Sequence, residues 1–142
     1  MYYKIQIVID AAAPVKLADF WAFALDYVLE PPPHGFETWE DFGRSIGLPE
    51  EEFGDQAAVI DPADEGPRIY FQRVPGHKTV KNRVHLDLTT AAGDRDAEIE
   101  RLLALGARRV DIGQTGAESW TVLADPEGNE FCVIRPKSTL IS

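Results

Sequence analysis

Two short stretches of the chain place polar side chains with metal-binding or proton-transfer chemistry on one face of a strand pattern. In residues 4–10 that face includes Gln6, and in residues 83–89 it includes His85 and Asp87. Imidazole and carboxylate groups are common ligands of divalent transition metals. A half-buried histidine can equally be held by a neighbouring carboxylate such as Asp87. The residue types alone therefore leave a metal site and a structural histidine both open.

Thiol chemistry is limited because the chain has one cysteine, Cys132. A single cysteine excludes an intramolecular disulfide and any metal site built from several thiolates. In an apolar strand such a residue is more often small and unreactive than nucleophilic. We therefore expect Cys132 to be a structural residue.

The composition restricts the kinds of partner that the chain can have. It has 142 residues, 44% of them hydrophobic, and a formal net charge of −10. This length and composition suit one folded domain rather than a disordered chain. The negative charge repels phosphate and argues against a nucleic-acid partner. No segment has the pattern of a signal peptide or of a membrane span, so we expect a cytoplasmic protein with no membrane contact.

An internal repeat positions these polar residues. Both alternating segments have the period-two pattern of a half-buried strand, and a helical pattern follows each of them. The first helix is predicted to begin at Pro14. The second is predicted to begin at Asp94 or Asp96 and to end at Gly106. The apolar stripe of the first helix consists of Leu17, Trp21, Leu25 and Val28.

Each half of the repeat continues with a hairpin signal. Residues 58–75 and 121–136 both contain Asp-Pro, then Glu-Gly, and then an apolar strand pattern. Proline and glycine at these places predict tight turns between antiparallel strands. The first half also contains an insertion at about 31–55, in which Thr38 resembles a helix cap. We expect this insertion to form a short helical lid or rim.

Together these segments resemble the vicinal oxygen chelate superfamily, which includes glyoxalase I, the bleomycin-resistance proteins and the extradiol dioxygenases. The resemblance rests on APVKLADFWAFAL, on RVHLDLT followed by LLALGAR, and above all on LADPEGNEFCV, which is typical of the glyoxalase-like branch. It implies an α+β fold of two tandem βαβββ modules that form a U-shaped, eight-stranded cup. Module one would cover residues 1–75, with its helical insertion at about 31–55, and module two residues 82–142, all within a single domain of residues 1–142.

The resemblance also implies metal ligands on the first and last strands of each module. Position by position, these ligands fall on Gln6, His85 and Glu130, which are acceptable for Zn, Ni, Co, Mn or Fe. The fourth position holds Arg68 when the hairpin glycines are aligned, and Ile69 when the later prolines are aligned. Neither is a carboxylate. A complete glyoxalase I set of four ligands is therefore absent, and a site without a metal stays open.

Two functions follow from this resemblance. The first is a metal-dependent lyase or isomerase that acts on a small metabolite with vicinal oxygens, with Glu130 as ligand or catalytic base. The second is a metal-free protein that binds a small molecule or drug, as in the bleomycin-resistance branch, and its acidic charge would favour a cationic compound. An extradiol dioxygenase is disfavoured because it would need a histidine where Gln6 stands.

Several further residues are expected near a bound small molecule. Arg68, Tyr70 and Gln72 share one strand face by alternation, so we expect them to line the cup. Trp39 lies in the insertion, where it could stack on a ligand. The basic stretch 76–83 is either a solvated linker or an anion-binding rim. The resemblance also implies a homodimer.

Overall fold

The computed structural model describes residues 2–90, 94–113 and 120–135. The chain divides into two compact units, residues 1–76 and 77–142, which are called module one and module two below. Within the described residues, each module contains one four-stranded mixed sheet. This arrangement confirms the predicted α+β fold with tandem βαβββ modules.

Module one has the predicted order of elements, with an insertion after its second strand. The elements are β1 (Ile7–Ala11), α1 (Pro14–Leu25), β2 (Val28–Leu29), α2 (Trp39–Ser45), a 3₁₀ turn (Glu50–Glu52), β3 (Gln56–Ile60) and β4 (Ile69–Arg73). The strand order is β1-β4-β3-β2, with β1 parallel to β4 and the other pairs antiparallel. The short helix α2 confirms the helical insertion expected at about 31–55.

In its described residues, module two repeats this order of strands and helix. Its elements are β5 (Leu86–Thr89), α3 (Arg95–Leu105), β6 (Arg108–Arg109), β7 (Trp120–Ala124) and β8 (Glu130–Ile134). The strand order is β5-β8-β7-β6, and the first and last strands are again parallel. The repeat that was read from the sequence is therefore a repeat of topology.

The helix boundaries follow the local signals in the sequence. α1 begins at Pro14, whose fixed φ suits the first helical turn. The side chains of Thr38 and Asp94 each accept a hydrogen bond from a backbone N–H three residues later, at the starts of α2 and α3. α3 ends where Gly106 has a φ of 119°, in the left-handed region that favours glycine.

The structure differs from the predicted stripe at the end of α1. The helix ends at Leu25 because Asp26 adopts a left-handed conformation with a φ of 57°. Val28 was expected on the helical stripe but instead lies in β2. Leu17 and Trp21 from the same stripe are buried, as predicted.

The strands β1 and β5 are also shorter than the alternating patterns suggested. Ile5 is 75% exposed and Val84 is 86% exposed, although each was expected on an apolar strand face. The ladder between β1 and β4 begins at Ile7, and residues before that point gain no burial from the sheet. Gln6 therefore lies immediately before its strand rather than inside it.

Both hairpins are closed by an aspartate that accepts hydrogen bonds from the turn. The carboxylate of Asp61 accepts from three backbone N–H groups between residues 63 and 66, and these bonds lower its pKa. Asp125 is buried and accepts from two backbone N–H groups of residues 127 and 129. The Asp-Pro…Gly segments are therefore turns, as predicted.

In each module the helix covers one face of the sheet, and the candidate site residues lie on the other face. α1 packs on β3 and β4, and α3 packs on β8. The largest fully buried side chains of the two modules include Leu17, Trp21, Val59, Ile69, Phe71, Leu102, Leu123, Phe131 and Val133. Because successive strand residues point to opposite faces, Arg68 and Tyr70 in module one and Glu130 and Cys132 in module two lie away from the helix. Among the described helices, none is both long and apolar enough to cross a bilayer.

Candidate functional site

The two modules place their candidate ligands at equivalent positions. In both, the first and last strands pair in parallel. In module one, Gln6 and Arg68 come immediately before the first paired residues of β1 and β4. In module two, His85 and Glu130 come immediately before the first paired residues of β5 and β8. Ile69 is buried on the helix-facing side. The register therefore aligns Arg68, and not Ile69, with Glu130.

In module one this position holds a guanidinium that binds two neighbouring side chains. Nε and Nη2 of Arg68 donate to the two carboxylate oxygens of Glu30 at 2.6 and 2.9 Å. Nη1 donates to Oε1 of Gln6 at 2.6 Å. The hydrogen bond and charge of Arg68 lower the pKa of Glu30, against the effect of burial. The amide oxygen of Gln6, which would ligate a metal, therefore accepts a hydrogen bond from a cation.

Two other predicted substrate-binding residues lie on the same strand face as Arg68. The guanidinium carbon of Arg68 lies 5.5 Å from the centre of the Tyr70 ring, within the range of a cation–π interaction. Nε2 of Gln72 donates to Oδ1 of Asp10 at 2.8 Å. Both side chains thus have partners within module one.

Trp39 lies at the first position of α2, in the insertion. Its indole N–H donates to the backbone carbonyl of Glu30 at 2.8 Å. Its ring meets the ring of Phe42 edge-to-face, with centroids 6.0 Å apart. These contacts attach the insertion to the end of β2, while 45% of Trp39 is exposed.

In module two the carboxylate of Glu130 is bound by a cation and by the backbone. Oε1 accepts from Nζ of Lys78 at 2.6 Å, and Oε2 accepts from the N–H of Asn82 at 3.1 Å. The Glu130 side chain is only 10% exposed. Burial alone would raise the pKa of Glu130, but the Lys78 and backbone hydrogen bonds outweigh it and lower the pKa. Glu130 is therefore ionised at neutral pH.

His85, Asp87 and Cys132 bring three different donor atoms together on the same face of module two. Asp87 lies opposite Cys132 in the β5–β8 ladder, and its Oδ1 is 3.6 Å from Nε2 of His85. The possible ligand atoms of the three residues all lie within 4.8 Å of one another. Burial and the nearby Asp87 carboxylate raise the pKa of Cys132 to about 11. The free thiol is therefore protonated at neutral pH and is a poor nucleophile.

These residues form one wall of a cavity of about 320 Å³ in module two. We call it the module-two cavity. Its lining consists of Lys81, His85, Asp87, Ile112, Trp120, Val122, Glu130, Cys132 and Ile134. Ionisable side chains are thus gathered beside an apolar wall, in a space that can hold a small molecule.

The chemistry of the donor atoms determines whether a divalent metal suits this site. Imidazole and carboxylate groups are present in the module-two cavity, and both are ordinary ligands of divalent metals. Two features of the structure oppose metal binding by the ligand set that the resemblance implies. Glu130 would have to leave Lys78, and Arg68 contributes a positive charge where a fourth ligand would be. The cavity is chemically compatible with a metal, whereas the complete glyoxalase I set is not formed.

Sequence reasoning missed the ion pair between Lys78 and Glu130. The basic stretch 76–83 is visible in the sequence, but no periodic pattern links one of its lysines to a strand about fifty residues later. Asp87 could have been added to the candidate site, because alternation already placed it on the face of His85. Lys81, from the same basic stretch, lines the module-two cavity.

A family model described as "Glyoxalase-like domain" matches residues 6–134. The chain belongs to this family. Membership of the glyoxalase-like family confirms the resemblance to the vicinal oxygen chelate superfamily. No curated protein matches the sequence of this glyoxalase-like chain.

Solved structures show the same fold at low sequence identity. The fosfomycin resistance protein FosX from Mesorhizobium loti is 10% identical, with a TM-score of 0.65 over 100% of this chain and 99% of that one. A possible glyoxalase from Bacillus cereus is 12% identical, with a TM-score of 0.62 over 94% of this chain and 99% of that one. FosX from Listeria monocytogenes, in a complex with Mn(II) and sulfate, is 12% identical, with a TM-score of 0.60 over 96% of this chain and 93% of that one. At these identities the glyoxalase-like fold is shared, and nothing follows about substrate.

Proposed function

We propose that this glyoxalase-like protein is a metal-dependent lyase or isomerase that acts on a small molecule with neighbouring oxygen atoms. The proposal rests on one observation. An imidazole and two carboxylates lie beside the apolar wall of the module-two cavity, which has a volume of about 320 Å³. A few polar groups that converge in an apolar pocket are typical of a small-molecule site.

The residues of the module-two cavity have separate roles in this proposal. His85 is the proposed metal ligand, and a divalent ion bound there would act as a Lewis acid toward substrate oxygens. Glu130 is the proposed proton acceptor, held in place by Lys78 and by the N–H of Asn82. Its lowered pKa makes it a weak base. We therefore expect a substrate whose transferred proton is acidified by an adjacent carbonyl group.

Lys81 is the proposed recognition group for an anionic substrate. It lines the cavity together with the carboxylates of Asp87 and Glu130 and supplies a positive charge there. A carboxylate or phosphonate on the substrate would pair with this ammonium group. Such a pairing would offset the repulsion expected between an anionic substrate and a chain of net charge −10.

Other assignments made from the sequence stay proposals of the same kind. Gln6 and Glu130, which the family resemblance implies as metal ligands, form with His85 the ligand set to be tested against any other. Substrate contact by Arg68, Tyr70, Gln72 and Trp39 is supported by the shared strand face of the first three and by the exposed indole of Trp39. The family resemblance supports a homodimer, which sedimentation equilibrium of the purified protein would test.

Metal content is the direct test of the proposed function. Tag-free protein would be exposed separately to Zn, Ni, Co, Mn and Fe, desalted, and measured by elemental analysis. We expect about one ion per chain in the wild type and a clear loss in His85→Ala. His34→Ala, which changes an exposed histidine in module one, is the matched control. Wild-type protein that retains none of the five metals would overturn the proposal.

Metal-free binding of a small molecule is the second candidate function. It is favoured by the hydrogen bond from Arg68 to Gln6 and by the ion pair of Lys78 with Glu130, which already engage two of the candidate ligand groups. Trp120 lines the cavity, so its fluorescence would report binding of a cationic aromatic compound to chelator-treated protein. Binding that is equally tight with and without metal, and absent in His85→Ala, would support this second function over the first.

A further inference from the structure

Three different metal-ligating groups meet on one face of the strand pair β5–β8. His85 immediately precedes β5, and its Nε2 lies 3.6 Å from Oδ1 of Asp87, which is inside that strand. Cys132 lies directly opposite Asp87 in the ladder. Their imidazole nitrogen, carboxylate oxygen and sulfur atoms all lie within 4.8 Å of one another.

The spacing of these atoms is close to that of ligands on one ion. Ligand–zinc distances of roughly 2.0–2.3 Å in a tetrahedral site place two ligand atoms roughly 3.3–3.8 Å apart. Nε2 of His85 and Oδ1 of Asp87 are 3.6 Å apart. The His85–Asp87 distance is thus already typical of two ligands on one ion, and the Cys132 sulfur lies within 4.8 Å of a ligand atom of each.

Glu130 is less available for this purpose than Asp87. Both oxygens of Glu130 accept hydrogen bonds, one from the Lys78 ammonium group and one from the N–H of Asn82. Its side chain is 10% exposed, whereas that of Asp87 is 51% exposed. Ligation by Glu130 would separate a partly buried ion pair, and ligation by Asp87 would not.

The geometry points to a metal site formed by His85, Asp87 and Cys132, for a divalent ion that accepts a thiolate ligand, such as zinc. On binding, the Cys132 thiol loses its proton to solvent, and a sulfur–metal bond replaces the sulfur–hydrogen bond. The carboxylate and the thiolate then carry two negative charges, which match the charge of the ion. Gln6, His85 and Glu130 would supply one negative charge, and Lys78 already neutralises it.

This ligand set leaves room for a substrate. Three protein ligands are typical of catalytic zinc sites, in which the remaining position is open to water or substrate. All three residues line the module-two cavity. A small molecule in the cavity could therefore reach the ion, which connects this inference to the proposed function on which it rests.

Cobalt(II) absorption tests the ligand set without any assay of activity. Cobalt(II) replaces zinc in such sites, and a thiolate ligand gives a charge-transfer band in the near ultraviolet. Cys132 is the single cysteine of the chain, so such a band can come from no other residue. We expect the band to appear on titration of tag-free wild-type protein with cobalt(II) and to saturate at about one ion per chain.

Matched variants separate this ligand set from the alternative one. Cys132→Ser should lose the band, and Asp87→Asn should weaken cobalt binding by about 10-fold or more, while Glu130→Gln and the surface control Asp96→Asn should retain both. Cobalt binding without a thiolate band in the wild type, or its loss in Glu130→Gln alone, would overturn this ligand set and leave a metal-dependent function standing. Absence of any metal binding would overturn both proposals. Circular dichroism of each variant would verify that it is folded.

Discussion

The two modules have the same strand order but opposite charge chemistry at equivalent positions. In module one the last strand is preceded by a cation, Arg68, which pairs with Glu30. In module two the last strand begins with an anion, Glu130, which pairs with Lys78 from the segment before β5. Each module therefore pairs its charge within itself, but with the signs exchanged.

This difference shows that a repeated backbone does not impose repeated chemistry. The strand register determines where a side chain lies, whereas the residue type and its local partners determine its charge. In module one the bidentate pair of Arg68 and Glu30 occupies the candidate position. In module two, His85, Asp87 and Cys132 lie beside the Lys78–Glu130 pair and face a cavity. The metal binding and catalysis proposed above would therefore depend chiefly on residues of module two.

The largest effect is expected where the modules are alike, in their cores. Phe71 in module one and Phe131 in module two are both buried between helix and sheet. Replacing either with alanine should lower the free energy of unfolding by about 3–5 kcal/mol, measured by urea denaturation. Tyr3→Ala, which removes an aromatic ring that is 84% exposed, should change it by less than about 0.5 kcal/mol. A large loss in only one module would contradict the similarity of the two cores.

The next largest effect is expected when either ion pair is broken, and its size should differ between the two pairs. Lys78→Met leaves the Glu130 carboxylate without its cation, and Arg68→Met does the same to Glu30. We expect a loss of about 1–3 kcal/mol in the free energy of unfolding, greater for Lys78→Met because Glu130 is the less exposed carboxylate.

Two further variants complete this comparison. In a Lys78→Met background, the additional change Glu130→Gln should recover part of the loss, because it removes the unpaired charge. Arg44→Met, at an exposed pair with Asp41, should cost at most about 0.5 kcal/mol. A loss for Lys78→Met as small as that of Arg44→Met would show that the Glu130 pair contributes no more than an exposed pair.

A smaller effect is expected in the pH dependence of stability. The pKa of Glu130 is lowered in the folded state, so the resulting stability is fully present above the ordinary glutamate pKa of about 4.3 and disappears as the pH falls through the folded value. The free energy of unfolding of the wild-type protein should exceed that of Glu130→Gln by about 1–2 kcal/mol near pH 7, and this difference should shrink in acid. Thermal denaturation between about pH 7 and pH 3 would measure it. A constant difference over that range would argue against the lowered pKa.

The smallest effect should come from the helix caps. Asp94→Ala removes the cap of α3, a helix of the module-two core, and should cost about 1 kcal/mol in urea denaturation. Thr38→Ala removes the cap of α2, which lies in the insertion, and should cost less than Asp94→Ala. Asp94→Asn and Thr38→Ser keep a capping oxygen and serve as conservative controls. Equal losses for the alanine and conservative variants would show that these oxygens do not stabilise the helices.

Much of the fold was predictable from short-range signals. Pro14, Asp94 and Gly106 mark helix boundaries through local dihedral preferences and hydrogen bonds, which act within a few residues of the chain. The Asp-Pro turns are local in the same way. The end of α1 was not predicted, because Val28 continues the apolar spacing and only the left-handed backbone at Asp26 interrupts it.

The candidate site was predictable only in part. Alternation and the family resemblance identified His85 and Glu130, because both signals follow the strand pattern. The partners of these residues depend on the path of the chain in space. Lys78 reaches Glu130 from an irregular segment with no period, and Glu30 reaches Arg68 from the end of β2. Such contacts have no signature in a single sequence.

The parallel pairing within each sheet has a consequence for synthesis on the ribosome. In the described sheet of module one, β1 is hydrogen-bonded to β4, and the residues paired between them are more than sixty positions apart. During translation at about 5–20 residues per second, β1 leaves the ribosome several seconds before β4 can join it. The nascent chain therefore carries β1 without its partner strand throughout that interval, because this non-local pairing can form only after both strands have been made.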